Sequence, residues 1–252
     1  MKGLPNFGNT CYFNAMLQCL FHVPVLTRSF LDWKDDAGPE FFIEYRKVLA
    51  HFWSDDPGVT DTRRLFQMFF TRFKQFQTPD QQDAQEALIC FLELFGDTIV
   101  KPIFGGQVKQ KTICPSGHSE MKEDTVVITV NLKETASVTE ALDIFEKYVT
   151  VPGYTDSSGK THHVSVIKTH IEQVPRTLVI TFTGRQLVRI EEKIRVHGRV
   201  MCLFGLVRHV GDETGGHYDA FTKGTSWFYK NDLHVSTSEP PQEDYYYLAF
   251  YA

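Results

Sequence analysis

The chain has few cysteines: five in 252 residues, at positions 11, 19, 90, 114 and 202. An odd and widely scattered set argues against a disulfide framework and for a reducing compartment. It also lacks a strong charge bias. A net charge of -5 makes a broad nucleic-acid or anionic-membrane surface unexpected, while an acidic groove for a basic partner is allowed. No signal peptide, transit peptide or long apolar run is visible, so the chain is expected to be soluble and intracellular. There is no internal repeat, and residues 236–243 are the only compositionally biased patch.

What is present is apolar and aromatic. Hydrophobic residues make up 42% of the chain and aromatics 13%, with 21 phenylalanines, which is ample for a sizeable core. The first hundred residues read as helical. Phe13, Met16, Leu17, Leu20 and Phe21 fall on one helix face, with Asn9 or Thr10 as a cap and Pro24 just past the end. Phe41, Phe42, Tyr45, Val48, Leu49 and Phe52 repeat the pattern, as do Leu65, Phe66, Phe69, Phe73 and Phe76. A fourth helix is expected from Thr78-Pro79-Asp80, carrying Ala84, Leu88, Phe91, Leu92 and Phe95. Beyond Lys101-Pro102 the pattern turns to strands, starting at Gly105-Gly106. One helix intervenes, capped by Ser137 and Glu140 and followed by Ala141, Leu142, Phe145 and Tyr148. Helices first and mostly antiparallel strands after give an α+β class, with a cleft between the two parts as the natural place for a site.

Cys11 sits in the first turn of the opening helix. Unpaired N–H groups and the helix dipole favour negative charge there, so its thiol is expected below the free value of about 8.5. Late in the chain, Gly215-Gly216-His217-Tyr218 precedes a strand, and Trp227 to Asp232 supplies the next. If the two strands pair antiparallel, the Asn231 amide oxygen can accept from His217 Nδ1–H and aim the other ring nitrogen at sulfur. Cysteine, histidine and asparagine so placed serve thiol proteases. Taken singly, each has a plain reading: a packed thiol, a structural histidine, a turn residue. The other cysteines, Cys19, Cys90 and Cys202, read as packed thiols.

Residues 3–18 resemble the cysteine box of the ubiquitin-specific proteases, the papain-like deubiquitinases. Gln81-Gln82-Asp83-Ala84-Gln85-Glu86 resembles that family's Gln-Gln-Asp motif. Gly216-His217-Tyr218 with Ala220-Phe221 resembles its histidine box, and Trp227 to Asp232 and Tyr247-Leu248-Ala249-Phe250-Tyr251 its closing strands. The resemblance runs end to end. It implies one catalytic domain over 1–252, with a helical thumb (1–100) and a mostly β palm and fingers (101–252). It implies Cys11 as nucleophile, His217 as general base and acid, Asn231 as its orienter and Asn6 as oxyanion donor. Asp232 is a possible auxiliary, expected to point away from Asn231. The substrate side is Gln82, Asp83, Glu86, Gly215, Gly216 and Tyr218, with 211–215 as a loop over the ubiquitin tail. Without the resemblance, Asp83 and Glu86 are acids favoured in a helix's first turn.

The implied reaction is hydrolysis after the C-terminal glycine of ubiquitin through a thioester. The alternatives are a protease for another ubiquitin-like modifier and a non-catalytic ubiquitin-binding module. The implied partner is ubiquitin or ubiquitinated protein, with no nucleic acid, membrane or cofactor. The protein is expected to be a monomer in cytoplasm or nucleus, including those of a host cell. The family's two zinc-holding Cys-x-x-Cys pairs are not intact. Cys114 alone remains of the first, and 151–163 has no cysteine. Cys114, His118, His162 and His163 could supply four ligands, but short fingers without metal, held by packing, are the expectation.

Overall fold

The computed structural model describes residues 1–33, 38–78, 80–132, 137–212 and 215–252. Pro79, expected near a helix start, lies outside the described residues, as do Glu213 and Thr214 of the expected loop.

Six helices come first: α1 (Cys11–Leu20), α2 (Pro24–Asp32), α3 (Glu40–Trp53), α4 (Arg63–Arg72), α5 (Ala84–Glu93) and α6 (Asp97–Phe104). Then follow β1 (Gly106–Cys114), β2 (Gly117–Thr125), β3 (Ile128–Asn131), α7 (Val138–Phe145), β4 (Tyr148–Val151), β5 (Tyr154–Thr155) and β6 (Thr161–His162). Next are β7 (Ser165–Gln173), β8 (Leu178–Thr183), β9 (Val188–Arg189), β10 (Lys193–Val196) and β11 (Arg199–Asp212). The chain closes with β12 (Gly215–Lys223), β13 (Trp227–Asn231), β14 (His234–Thr237), β15 (Glu243–Asp244) and β16 (Tyr246–Tyr251). No helix among the described residues is long and apolar enough to cross a membrane.

Helix starts and ends depart from expectation where a local group decides them. Thr10 occupies the N-cap of α1, but its hydroxyl accepts from Phe7 N–H (2.9 Å) and meets Asn6 Oδ1 (3.2 Å), so it caps no helix N–H. The helix expected from residues 78–80 starts at Ala84, because Asp83 Oδ1 accepts from the N–H groups of Gln85 (2.7 Å) and Glu86 (2.9 Å). Phe73 and Phe76 lie beyond α4, and Phe95 beyond α5, yet all three are buried. Pro102 does not end helical structure. It sits in the last turn of α6, where burial of Val100, Ile103 and Phe104 outweighs the missing N–H. Tyr148 leaves α7 to open β4 and is exposed.

The main sheet has eight strands in the order β14-β13-β12-β11-β16-β8-β3, with β10 pairing β11 at its side. All its pairings are antiparallel except β3 with β8. The period-2 alternation of strands sends Val179, Val207, Ala220, Leu248 and Phe250 into the core shared with the helices. Ile180, Leu206, Phe221, Ala249 and Tyr251 go to a second core on the opposite face, under α7. The same alternation leaves Cys202 exposed between buried Met201 and Leu203, and Cys90 is partly exposed. Of the three cysteines expected to be packed thiols, only Cys19 is fully buried.

Helix α1 lies on β11 and β12. Gly205 permits the approach, since a Cβ there would stand 3.1 Å from Cys19 Sγ. A second sheet, β2-β1-β7-β4, projects beside helices α5 and α6. Between them runs an open groove of about 760 Å³, lined by Gln85, Ile89 and Lys101 on the helical side and by Val108, Met121 and Glu123 on the strand side.

Candidate active site

Cys11 is the first residue of α1 and is 2% exposed. Burial pushes its thiol above the ordinary value, and the Asp232 carboxylate pushes the same way. The backbone N–H groups of Tyr218, Tyr12 and Cys11 itself pull down but do not win. The expected lowering is therefore reversed, because desolvation of a thiolate is set by tertiary packing rather than by helix position. The Tyr218 N–H that reaches the sulfur belongs to β12, one residue from His217. The sheet thus brings the histidine segment to the helix N-terminus.

Strand β12 pairs with β13 in a register that sets Ala220 against Lys230. Across this pair His217 Nε2 and Asn231 Oδ1 are 2.8 Å apart. The expected partner was Nδ1, so the ring presents the other nitrogen. A chain of hydrogen bonds accounts for this polarity. Arg208 grips Asp219 with Nε to Oδ1 (3.0 Å) and Nη2 to Oδ2 (2.7 Å), and reaches Asp244 Oδ2 with Nη1 (2.7 Å). The ionised Asp219 can only accept, so the Tyr229 hydroxyl donates to it (2.9 Å). That leaves the hydroxyl oxygen to accept from Asn231 Nδ2 (3.2 Å). With its NH2 so engaged, Asn231 turns its oxygen to His217, and Nε2 carries the ring proton. Nδ1 is then the unprotonated nitrogen of the neutral ring.

Asn6 and Asp232 meet close enough to Cys11 for the Asp232 charge to act on its thiol. Asn6 Oδ1 accepts from Gly8 N–H (2.9 Å) and Thr10 N–H (3.2 Å), which pins the segment before α1. Asn6 Nδ2 donates to Asp232 Oδ2 (2.9 Å). Asn14 Nδ2 donates to Asp232 Oδ1 (2.7 Å) and to the Pro5 carbonyl (3.1 Å). Strand β13 ends at Asn231, and Asp232 adopts a left-handed backbone, φ +50°, so the alternation expected for a strand does not govern it. Its carbonyl accepts from Leu4 N–H (2.9 Å), and Gly3 leaves room for the crossing, since a Cβ there would lie 2.5 Å from that oxygen. Asn14, Tyr229, Asp219 and Arg208 escaped the sequence reading. Only position could have flagged them: Asn14 shares the α1 face with Cys11, one turn along, and Tyr229 shares a strand face with Asn231.

The expected substrate-side residues take several local roles. Asp83 caps α5 with Oδ1 and receives the Tyr247 hydroxyl on Oδ2. Gln82 Nε2 donates to Thr78 Oγ1 (2.7 Å), and Glu86 is exposed. Tyr218 is buried, tilted against His209 at 4.4 Å, and its hydroxyl faces the Ala84 N–H. Gly216 lies opposite Gly211, and a Cβ on it would stand 2.3 Å from His209 Nε2 and 2.9 Å from the Val210 carbonyl oxygen, so a side chain there would have to displace the His209 ring. Gly215 opens onto free space.

Of the four ligands weighed for a finger metal, two come together. Donor atoms of Cys114, Asp156 and His162 lie within 4.8 Å of one another, with Asp156 in place of His118 and His163. Ser116 sits among them, 3.1 Å from Cys114 Sγ, 2.6 Å from Asp156 Oδ2 and 3.0 Å from His162 Nε2.

Cys11 at the N-terminus of α1 and the His217–Asn231 pair on the main sheet are tied together by the Tyr218 N–H that reaches the sulfur. The chain belongs to the ubiquitin carboxyl-terminal hydrolase family, whose profile matches residues 2–251. Among its relatives, ubiquitin carboxyl-terminal hydrolase 25 of Arabidopsis thaliana is 26% identical over 94% of this chain and 44% of its own length. Ubiquitin carboxyl-terminal hydrolase Usp2 of Drosophila melanogaster is 23% identical over 93% of this chain and 32% of its own. Ubiquitin carboxyl-terminal hydrolase 42 of Homo sapiens is 26% identical over 94% of this chain and 22% of its own. The chain thus spans less than half the length of each of these relatives. Among solved structures, the SAGA DUB module Ubp8/Sgf11/Sus1/Sgf73 bound to monoubiquitin matches with a TM-score of 0.83 at 21% identity, covering all of this chain and 68% of that one. The same module bound to ubiquitin aldehyde matches at 0.80 and 20%, covering all of this chain and 69% of that one. At these identities the structural likeness speaks to the fold.

Proposed function

We propose that the chain is a cysteine deubiquitinase that hydrolyses the bond after the C-terminal glycine of ubiquitin. The observation that carries this reading is the 2.8 Å contact of His217 Nε2 with Asn231 Oδ1, on a strand whose next residue, Tyr218, sends its N–H to the sulfur of a cysteine at a helix N-terminus. It leaves Nδ1 of a neutral ring to take the Cys11 proton. The thiolate attacks the glycine carbonyl. The second N–H of the Asn6 amide and the Cys11 backbone N–H face the developing oxyanion, each such donor being worth about 2.7–4 kcal/mol. Collapse expels the lysine amine, which takes the proton from His217. A water then gives its proton to Nδ1 and cleaves the thioester, releasing the ubiquitin carboxylate and the free thiol.

Asp232 acts through Asn6 rather than through His217 in this scheme. The tail of ubiquitin would run past Gly215, Gly216 and Tyr218. Glu86 offers an exposed carboxylate to an arginine, while Gln82 and Asp83 shape the wall. The groove between α5, α6 and the four-stranded sheet suits the globular body of ubiquitin. The five unpaired cysteines fit a reducing compartment such as cytoplasm or nucleus.

The test is turnover of isopeptide-linked diubiquitin beside the same assay with other ubiquitin-like modifiers. Cleavage of diubiquitin that disappears in Cys11→Ala supports the proposal. Preferential cleavage of another modifier, or ubiquitin binding without turnover, refutes it.

A further inference from the structure

Far along the chain from Cys11, three side chains from three elements converge. Glu146 caps the C-terminal end of α7, His170 lies on β7, and His197 sits in the tight turn between β10 and β11. His197 Nε2 lies 2.9 and 3.0 Å from the two Glu146 oxygens, and His170 Nδ1 lies 3.1 Å from Oε1. The donor atoms of all three residues fall within 4.8 Å of one another. The two imidazole rings lie 4.6 Å apart at 30°.

One feature indicates that this arrangement is built. The Ile171 backbone N–H donates to Glu146 Oε1 (2.7 Å), which fixes the carboxylate from behind as an outer partner fixes a metal ligand. His197 holds a left-handed backbone, φ +48°, followed by Gly198 at +82°. Histidine is among the non-glycine residues that tolerate this conformation, and the turn sets its ring against Glu146.

We propose that Glu146, His170 and His197 form a divalent-cation site of two imidazole nitrogens and one carboxylate oxygen, suited to Zn2+ and its borderline neighbours. Without a cation, each facing ring nitrogen must carry a proton to bond the one carboxylate. A cation replaces those protons, so the two ring nitrogens bind it with lone pairs beside the carboxylate oxygen. Zinc bonds of about 2.0–2.2 Å in a tetrahedron need donors about 3.3 Å apart. The present 2.9–3.1 Å spacings to the carboxylate reach that by opening a few tenths of an ångström. Water takes the fourth position. A cavity of about 100 Å³ adjoins Glu146 and His197, with Asp143 and Arg195 on its wall. Bound there, the cation ties the end of α7 and the β10–β11 turn to the four-stranded sheet. This site stands independently of the hydrolase reading.

The test uses the full chain stripped of metal, as wild type and as Cys114→Ser, which disables the separate Cys114, Asp156 and His162 cluster. Zn2+ affinity is measured by competition with a chromophoric chelator, stoichiometry by native mass spectrometry, and folding by circular dichroism. One Zn2+ should bind Cys114→Ser protein and raise its unfolding temperature. Adding His170→Asn or His197→Asn should weaken binding by at least the roughly 10–100-fold that loss of an outer partner costs, with the fold intact. Co2+ in the Cys114→Ser protein should give visible bands with no thiolate charge-transfer absorption. Zn2+ affinity unchanged by both histidine variants, or no binding once Cys114 is replaced, overturns the proposal.

Discussion

Replacing Tyr229 by phenylalanine tests how the histidine is held. The substitution keeps the ring against Phe221 and deletes one hydroxyl. Two hydrogen bonds go with it, from Asn231 Nδ2 (3.2 Å) and to Asp219 Oδ2 (2.9 Å). Asp219 keeps its two bonds to Arg208, so no charge is stranded. Asn231 loses the acceptor that decides which way its amide faces. A net hydrogen bond is worth about 0.5–1.5 kcal/mol. If that loss falls on the alignment of His217 in the transition state, kcat drops by about 2- to 13-fold with KM unchanged. Steady-state hydrolysis of a fluorogenic ubiquitin substrate measures it. The sharper readout is a double-mutant cycle: once Asn231→Ala has removed the amide, Tyr229→Phe should cost nothing further in kcat. An equal loss in both backgrounds, or an unchanged kcat in the single variant, refutes the relay.

Three further outcomes follow from the same geometry. Asp232→Ala frees the Asn6 and Asn14 amides and should lower kcat by about 10- to 100-fold, below the ceiling of about 10²–10³ for losing a whole oxyanion donor; near-wild-type kinetics would show that Asn6 does not depend on it. Burial holds the Cys11 thiol above its ordinary value, so in the free protein its alkylation by iodoacetamide should still be rising at pH 9; a plateau near pH 7 would mean that a cation is already paired with the sulfur. Lys230 is 2% exposed, and burial lowers its ammonium to about 8, so the protein carries a penalty that is full below pH 8 and fades as pH rises toward the unfolded value of about 10.4. Lys230→Met should therefore stabilise the fold at pH 7 by about 1–3 kcal/mol in urea unfolding and flatten the rise in stability between pH 8 and 10; a destabilised variant contradicts this.

The elements legible in the sequence were those in which local pattern and tertiary role agree. Helix α1 showed its apolar face, and β12 and β13 both read as strands, with their antiparallel pairing a condition that the structure meets. Helix α6 was missed because Pro102 looks like a boundary, and only the burial of Ile103 and Phe104 reveals that it is not. The direction of the Cys11 shift was missed because helix position is local and desolvation is not. The ring nitrogen facing Asn231 depends on a proton chain that begins at Arg208, on a different strand. Asp232 turned toward Asn6 because its backbone leaves the strand conformation, which alternation cannot anticipate.

Reaction with ubiquitin carrying a C-terminal electrophile, followed by peptide mapping of the adduct, tests the proposal that Cys11 is the nucleophile of a ubiquitin hydrolase. One ubiquitin should be found on Cys11, with no adduct in Cys11→Ala and strongly slowed labelling in His217→Ala. An unmodified protein, or label on the exposed Cys202 or the partly exposed Cys114 instead, would contradict it.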